Sequence, residues 1–299
     1  MIAMVDAPTN LGLRPPKPTS VPGCSKAPEA LRGAGLHDRL IADGATFSGV
    51  VLPGRYVDDW TSGVARVRNQ DALIDHALRL ATHLEGIFAR HQAPLVIGGD
   101  CSLLVGAGIS LARRGRFGLV HIDGHTDFRH PGNSERCASV AGEDLAAAIG
   151  LHWPALSQVE NLGPYFAREH VAHIGCRDSD EALDEARGLL AAVVTARQWM
   201  ANPDASLSRI RGALEGSAQG YWLHLDVDVL DPAYMPAVDS PDPGGLTPEQ
   251  LITLLRALAP HAVGAQVCVF DPDLDPDGHL ARLLADIVAT GFAQLGQRG

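Results

Sequence analysis

Short apolar runs that alternate with longer segments of helical periodicity constrain this chain more than any other feature of its sequence. Runs rich in Val, Ile and Leu are typical of parallel strands buried on both faces, and the helical segments between them supply the cover. The sequence therefore predicts a three-layer α/β fold with a mostly parallel sheet. Candidate strands cover residues 1–6, 94–98, 117–123, 170–175, 221–226 and 265–270, with a weaker candidate at 46–52.

Two segments carry helix-start signals. Apolar residues recur at three- and four-residue steps after Asp71, which is the predicted N-cap of a helix that precedes the strand at 94–98. Thr247 is the predicted N-cap of a second helix, with Pro248 at the first helical position and Gln250 completing a capping box. No linker interrupts the chain, so we expect one domain over residues 1–299.

Charge and hydropathy exclude several classes of function. A formal charge of −11 argues against a nucleic-acid partner, whose phosphates require many cationic contacts. No segment approaches the roughly 20 apolar residues of a membrane span, and the N-terminus lacks the pattern of a signal peptide. The five cysteines are widely spaced and form no C-x-x-C pair, which is typical of a reducing compartment. We expect a cytoplasmic protein that acts on a small-molecule substrate and binds neither nucleic acid nor membrane.

Most of the chemistry-bearing residues lie in three short segments, each at the end of a predicted strand. Open parallel sheets bind their ligands at this carboxyl edge. Residues two apart in an extended chain point the same way, so Asp123, His125 and Asp127 can converge on one point, and so can Asp226 and Asp228. The three segments are residues 98–102 (Gly-Gly-Asp-Cys-Ser), 121–127 (His-Ile-Asp-Gly-His-Thr-Asp) and 224–232 (His-Leu-Asp-Val-Asp-Val-Leu-Asp-Pro).

Four carboxylates and an imidazole in one small volume would repel one another unless some were protonated or neutralised by cations. Each motif alone also fits an ordinary strand-end cap or turn, because Asp-x-Asp pairs and Asp-Pro steps are common there. Together, on one α/β chain, they favour a divalent metal site.

These motifs resemble those of the ureohydrolase superfamily, which includes arginase, agmatinase and formiminoglutamase. The family signatures are a Gly-Gly-Asp-His-Ser turn, an Asp-x-His-x-Asp strand end and a Ser-x-Asp-x-Asp-x-x-Asp-Pro strand end. This chain has Cys101 at the His position and His224 at the Ser position. Further similarity at residues 10–12 and 244–247 extends the resemblance over almost the whole chain. It implies the arginase-type fold and a homo-oligomer, either a trimer or a hexamer.

The resemblance also implies a binuclear centre that holds two divalent ions, usually Mn²⁺. A thiolate at position 101 would shift the preference toward Zn²⁺ or Fe²⁺. Two such ions activate water near neutral pH, and Asp127 would accept a hydrogen bond from that water and relay its proton to the departing nitrogen. In the implied ligand set, Asp123 and Asp226 bridge both ions, Cys101 and Asp127 complete one site, and His125 and Asp228 complete the other.

Two further positions depart from the family pattern. Ala141 stands where arginases carry a proposed proton-shuttle histidine, and His130, three residues beyond Asp127, is a candidate substitute. Val269 stands where the family has a glutamate that grips a guanidinium, and the candidate replacements are Asp271 and Asp273.

The segment from His173 to Glu181 keeps the family's Ile-Gly-x-Arg-Asp-x-Asp form. The resemblance implies that Asp180 faces the α-amino end of an amino-acid substrate. The alternative is that Asp180 caps the helix that follows its strand.

The predicted reaction is hydrolysis of a C–N bond in a linear amidine or guanidino compound, such as arginine, a hydroxylated arginine, agmatine or a formimino amino acid. Because Ala141 and Val269 each remove a family function, a substrate less basic than L-arginine is expected. Two alternatives stay open. One is metal-dependent amide deacetylation on the same fold, which needs one metal and a Tyr or His acid, and the other is a paralogue that binds metal or a small ligand without turnover.

Overall fold

The strands of this chain form one sheet in the computed structural model, which describes residues 1–217 and 219–297. The predicted domain ends at residue 299, so its last two residues lie outside the described part. The strands are β1 (Ile2–Ala7), β2 (Thr46–Val50), β3 (Ala93–Gly98), β4 (Gly118–Ile122), β5 (Val171–Ile174), β6 (Ala192–Val194), β7 (Tyr221–Asp226) and β8 (Ala262–Cys268).

The sheet order is β2-β1-β3-β8-β7-β4-β5-β6, and every pairing in it is parallel. The predicted α/β class is therefore confirmed, and each candidate strand has a counterpart. The prediction missed β6, whose three residues end the apolar run of residues 189–194, because that run also contains the end of a helix. It also placed the start of β8 at residue 265, because Gly264 interrupts the apolar pattern that begins at Ala262.

Helices cover both faces of the sheet and pack in two groups. One group is built around the helices Gln70–Ala89, Leu103–Arg114 and Asp144–Ala148. The other is built around the helices Ala27–Gly33, Leu36–Ala42, Pro248–Leu258 and His279–Gly291. Strands β3, β4, β5 and β7 are buried along their whole lengths between these layers. Among the described residues, no helix combines the length and apolarity that a bilayer span requires. The helices are α1 (Ala27–Gly33), α2 (Leu36–Ala42), α3 (Gln70–Ala89), α4 (Leu103–Arg114), α5 (Asp144–Ala148), α6 (Pro154–Ser157), α7 (Leu183–Leu189), α8 (Ala196–Ala201), α9 (Pro203–Leu214), α10 (Pro248–Leu258) and α11 (His279–Gly291).

The predicted helix start near Asp71 is confirmed to within one residue, but the predicted N-cap is wrong. Helix α3 begins at Gln70 with Asn69 as its N-cap, which leaves Asp71 in the first turn, where a carboxylate still interacts favourably with the helix dipole. The start of α10 is confirmed. The Thr247 hydroxyl accepts the Gln250 backbone N–H at 3.3 Å, and the Gln250 side chain accepts the Thr247 N–H at 2.9 Å.

The turn after β3 requires glycine. A Cβ atom at Gly99 would lie 1.6 Å from the carbonyl oxygen of Thr9, because the two backbones pass in direct contact. The Gly99 carbonyl in turn accepts the Val269 N–H at 2.6 Å. These contacts tie the ends of β1, β3 and β8 together and hold the turn that carries Cys101 at the carboxyl edge of the sheet.

Candidate metal centre

Three adjacent parts of the sheet edge bring Cys101, Asp123 and Asp226 together. Asp123 follows β4, Asp226 ends β7, and Cys101 lies in the turn after β3. All three side chains are buried, and the Cys101 thiol donates to Asp226 Oδ2 at 2.9 Å. One donor atom from each, together with one from His224, lie within 4.8 Å of one another. The convergence expected from the strand-end motifs is therefore present.

The second half of the cluster is built on Asp228. Its Oδ2 lies 2.9 Å from His125 Nδ1, and its Oδ1 accepts the Gly124 N–H at 2.9 Å. The backbone N–H of Asp228 donates to Asp226 Oδ1 at 2.8 Å, and that of His125 donates to Asp123 Oδ1 at 2.6 Å. Backbone donors thus fix the carboxylates relative to one another.

Burial makes these carboxylates hard to ionise. It raises the pKa of Asp123, Asp127 and Asp226 well above the ordinary value, and the neighbouring carboxylates raise each of these pKa values further. Burial opposes ionisation of Asp228 as well, but the hydrogen bond from His125 holds the pKa of Asp228 below its usual value. The same contact outweighs burial at His125 and raises its pKa to about 9.

The donor set fits divalent metal. Asp123 Oδ2 is buried and has no hydrogen-bond partner among the described residues, a state that is rare for a carboxylate oxygen unless an ion or water completes it. Carboxylates, an imidazole and a thiol are the donors that divalent transition metals take in proteins. Bound cations would also offset the repulsion between neighbouring carboxylates that, together with burial, raises the pKa values of Asp123, Asp127 and Asp226.

The candidate proton carrier His130 is not brought to the cluster. Its Nδ1 accepts the Gly132 N–H at 3.0 Å, and its Nε2 lies 3.0 Å from Glu185 Oε1. Both ring nitrogens are therefore engaged in holding the loop that follows Asp127, and the ring is buried.

Asp180 lies in the wall of the site, with a structural task. Its carboxylate accepts both the backbone N–H and the hydroxyl of Thr126, at 2.9 and 2.6 Å, and it also accepts the Ala182 N–H at 2.9 Å. The first two contacts hold the segment between His125 and Asp127. The third contact lies just before α7, whose N-cap is Ala182 and has no side-chain cap hydrogen bond, so the alternative that Asp180 caps this helix is wrong.

Asp271 and Asp273 do not supply the expected counter-charge. Asp271 accepts the Gly23 N–H at 3.2 Å and the Asp273 N–H at 2.9 Å, while Asp273 pairs with Lys26 at 2.6 Å. Neither lines the cavity described below. The cause is local, because Val269 has a φ of +77°, rare for a β-branched residue, and the chain after it turns to the loop around Gly23.

A cavity of about 700 Å³ opens above the cluster. Its floor includes Asp127, Asp226 and Asp228, and His125 reaches it with a side chain that is 28% exposed. Its upper wall is mixed in charge and includes Trp60. The basic residues that line it are Arg14, Arg68, Arg129, Arg136 and Arg177, and further acidic ones are Glu143, Asp180, Glu181, Asp239 and Asp242.

Sequence reasoning missed a row of buried polar side chains that crosses four strands beneath the cluster. His173, His121, His224 and Gln266 are paired in register on β5, β4, β7 and β8. His121 and His173 approach through their Nδ1 atoms at 3.0 Å, and Gln266 Nε2 lies 2.9 Å from His224 Nδ1. Desolvation lowers the pKa of His121 and of His224 to about 3, so both rings are neutral.

Sequence reasoning also missed Asp144, the first residue of α5, which is fully buried. Its Oδ1 lies 3.3 Å from His121 Nε2, and its Oδ2 has no partner among the described residues. Burial raises the pKa of Asp144 to about 7. The available signal was an acidic pair, Glu143-Asp144, ahead of an apolar helix, which is also the ordinary signature of a helix start.

The arrangement defines an α/β protein whose parallel sheet gathers carboxylate, imidazole and thiol side chains at its carboxyl edge. The model of the arginase family matches residues 2–293, so this chain belongs to the arginase family. The resemblance predicted from the motifs is confirmed.

Individual relatives agree with that assignment. Arginase from Bacillus caldovelox is 27% identical over 285 residues, which cover 91% of this chain and 93% of the relative, and its solved structure matches with a TM-score of 0.85 over 97% of each chain. Proclavaminate amidinohydrolase from Streptomyces clavuligerus is 30% identical over 210 residues, or 70% of this chain and 63% of that protein. The mitochondrial guanidino acid hydrolase of Homo sapiens is 28% identical over 222 residues, or 72% and 58%.

Proposed function

We propose that this chain hydrolyses a C–N bond of a linear amidine or guanidino compound with the help of two divalent metal ions. The observation that carries the proposal is the buried cluster at the sheet edge, in which Asp123, Asp127 and Asp226 have raised pKa values and Asp123 has an oxygen without a partner among the described residues. Its proposed ligands are Cys101, Asp123, His125, Asp127, Asp226 and Asp228. Bound metal would supply Lewis acidity, which activates water and polarises the substrate.

The residues around the cluster have distinct tasks in this reaction. Asp127 lines the cavity floor at the cluster, so it is the proposed acceptor for the proton of the attacking water and the donor to the departing nitrogen. Asp180 holds the Asp127 segment through Thr126. Arg177 donates to the backbone carbonyls of Asp228 and Asp242, at 2.9 and 2.7 Å, and fixes the opposite wall.

The proposed substrate is an amidine less basic than L-arginine, such as a hydroxylated or acylated one. Val269 offers no counter-charge, and Asp271 and Asp273 are engaged elsewhere. A desolvated cation without a partner costs several kcal/mol, or roughly a thousandfold in affinity. Position 141 carries alanine, so the general acid expected there is missing. General acid catalysis typically raises a rate by about 10²–10⁴-fold, and a less basic leaving group depends on it less.

The test is a substrate panel scored by kcat/KM on protein loaded in turn with Mn²⁺, Zn²⁺, Fe²⁺ and Co²⁺. Urea, ammonia, formamide and acetate are all measured as products, and the Asp226→Asn variant sets the background. We expect a hydroxylated, acylated or otherwise less basic amidine to rank above L-arginine. If L-arginine ranks first at an ordinary rate, the inference from Val269 is wrong, and Asp239 or Asp242 must supply the counter-charge.

The same panel separates the alternatives. Deacetylation requires a Tyr or His acid. In the part of the chain that the structure describes, no tyrosine lines the cavity, and the histidine that does, His125, is a proposed metal ligand, so this alternative is disfavoured. Release of acetate without urea, ammonia or formamide would reverse that judgement. Metal uptake with no turnover on any amidine would favour the non-catalytic paralogue. The predicted trimer or hexamer is tested separately by light scattering on the same preparation.

A further inference from the structure

The buried carboxylate of Asp144 has no role in the proposed ligand set, yet it faces the same cluster. Asp144 is 0% exposed, and its Oδ2 lacks a hydrogen-bond partner among the described residues. Leaving a carboxylate oxygen desolvated and unpartnered is costly, so such atoms in proteins usually face an ion or a trapped water.

Asp144 lies beside two of the proposed ligands. One donor atom from each of Cys101, Asp127 and Asp144 lie within 4.8 Å of one another. Ligands at roughly 2.0–2.3 Å from an ion are at most about 4.6 Å apart, even when they lie on opposite sides of it. Three donors within 4.8 Å of one another lie no more than about 2.8 Å from a common centre, so each needs to move by less than about 1 Å to share one ion.

A neighbouring histidine holds Asp144 in place, in the way that a hydrogen-bond partner outside a metal site holds a metal ligand. His121 Nε2 lies 3.3 Å from Asp144 Oδ1, the oxygen opposite to the unpartnered one. His121 is itself fixed, since its Nδ1 meets His173 Nδ1 at 3.0 Å and its ring stacks on His224 at 4.4 Å. Ligating carboxylates are commonly held in this way by hydrogen bonds from behind.

We propose that Asp144 is an additional ligand of the centre, which joins Cys101 and Asp127 in holding one divalent transition-metal ion. This inference rests on the proposed function, because it assumes that the cluster binds metal. It gives the ion beside Cys101 a set of one sulfur and several carboxylate donors. His121 acts as a positioning residue for Asp144.

The test uses Co²⁺ as the probe, because a thiolate bound to Co²⁺ gives a charge-transfer absorption band that reports the ion beside Cys101. The Cys101→Ser variant assigns the band. In Asp144→Asn, which keeps the shape of the side chain, we expect the affinity for this ion to fall at least about tenfold and the band to be lost at stoichiometric Co²⁺. Glu181→Gln removes an exposed carboxylate of the same cavity and should bind Co²⁺ like the wild type.

Two results would overturn the inference. One is an Asp144→Asn variant with wild-type affinity and an unchanged band, which would leave Asp144 as a hydrogen-bond partner of His121. The other comes from anomalous diffraction on the Co²⁺-loaded wild type and decides the matter even if the variant fails to fold. An Asp144 oxygen within about 2.5 Å of the ion supports ligation, and a longer distance excludes it. Failure of the wild type to bind any transition metal would instead overturn the proposed function.

Discussion

Without bound metal, the folded state of this protein should become less stable as the pH rises above about 6.5. The cause is the set of buried carboxylates, since burial raises the pKa of Asp123, Asp127 and Asp226 well above normal and that of Asp144 to about 7. A group whose pKa is higher in the folded chain holds more protons there. It stabilises the fold below its unfolded pKa, and that contribution is lost as the pH rises through the folded pKa.

The buried histidines act in the opposite sense at lower pH. Burial lowers the pKa of His121 and of His224 to about 3 each, so only the unfolded chain gains protons there as the pH falls below about 6.5. Above that pH both rings are neutral in either state, and the carboxylates set the slope. His125 adds to the same slope, because Asp228 raises its pKa to about 9 against the effect of burial.

The contribution of Asp144 can be worked out. With a folded pKa of about 7 and an ordinary unfolded value of 3.8, the folded chain holds about three quarters of an extra proton at pH ~6.5 and about one tenth at pH ~8. Integration between those limits gives a loss of about 1 kcal/mol from this one group, out of about 4 kcal/mol over the whole titration.

The measurement is urea unfolding, followed by far-UV circular dichroism, on chelator-treated protein between about pH 6.5 and 8. The free energy of unfolding should fall with pH, and the fall should be smaller by about 1 kcal/mol in Asp144→Asn but unchanged in Glu181→Gln. Bound metal should remove the fall, because it neutralises the ionised carboxylates. A metal-free stability that is flat or rises across this range would refute the reasoning.

Four further variants test the site and its scaffold. Asp123→Asn or Asp226→Asn should each lose nearly all hydrolysis with an unchanged circular dichroism spectrum, because each is proposed to contact both ions; wild-type kcat in either would exclude that role. Gly99→Ala should lower the free energy of unfolding by about 3 kcal/mol or more, since its Cβ would lie 1.6 Å from Thr9 O, and a loss below about 1 kcal/mol would contradict the contact. Thr247→Ala should cost about 1 kcal/mol by the same measurement, with a negligible change speaking against the capping box.

The sequence predicted the convergence of the site because strand geometry enforces it. Asp226 and Asp228 leave the end of one buried strand, Asp123 and His125 leave the end of its neighbour, and parallel strands carry their carboxyl ends to one edge. Once the strands were recognised, these residues had few other places to lie. The capping box of α10 was equally readable, because all of its contacts are local.

The rest depended on features that no single segment carries. The row of His173, His121 and His224 exists only through the register of three strands, and register follows from the packing of the whole sheet. Asp144 reads as an ordinary acidic helix start until the fold brings it to Cys101. Asp271 was predicted to supply a counter-charge for the substrate, but it lies elsewhere because the chain changes direction at Val269. The positive φ of Val269 causes this change, and a valine gives no reason to expect it.

The departures from the family pattern point to one kind of substrate. Position 101 carries a thiol in place of a neutral imidazole, and buried imidazoles lie instead two residues before Asp123 and Asp226, where they orient rather than neutralise carboxylates. An anionic sulfur donor leaves less positive charge on a cation, so bound water is acidified less. A centre weakened in this way suits a carbon more electrophilic than that of a guanidinium. Cys101 thus leads to the same less basic amidine as Ala141 and Val269, by a separate physical route.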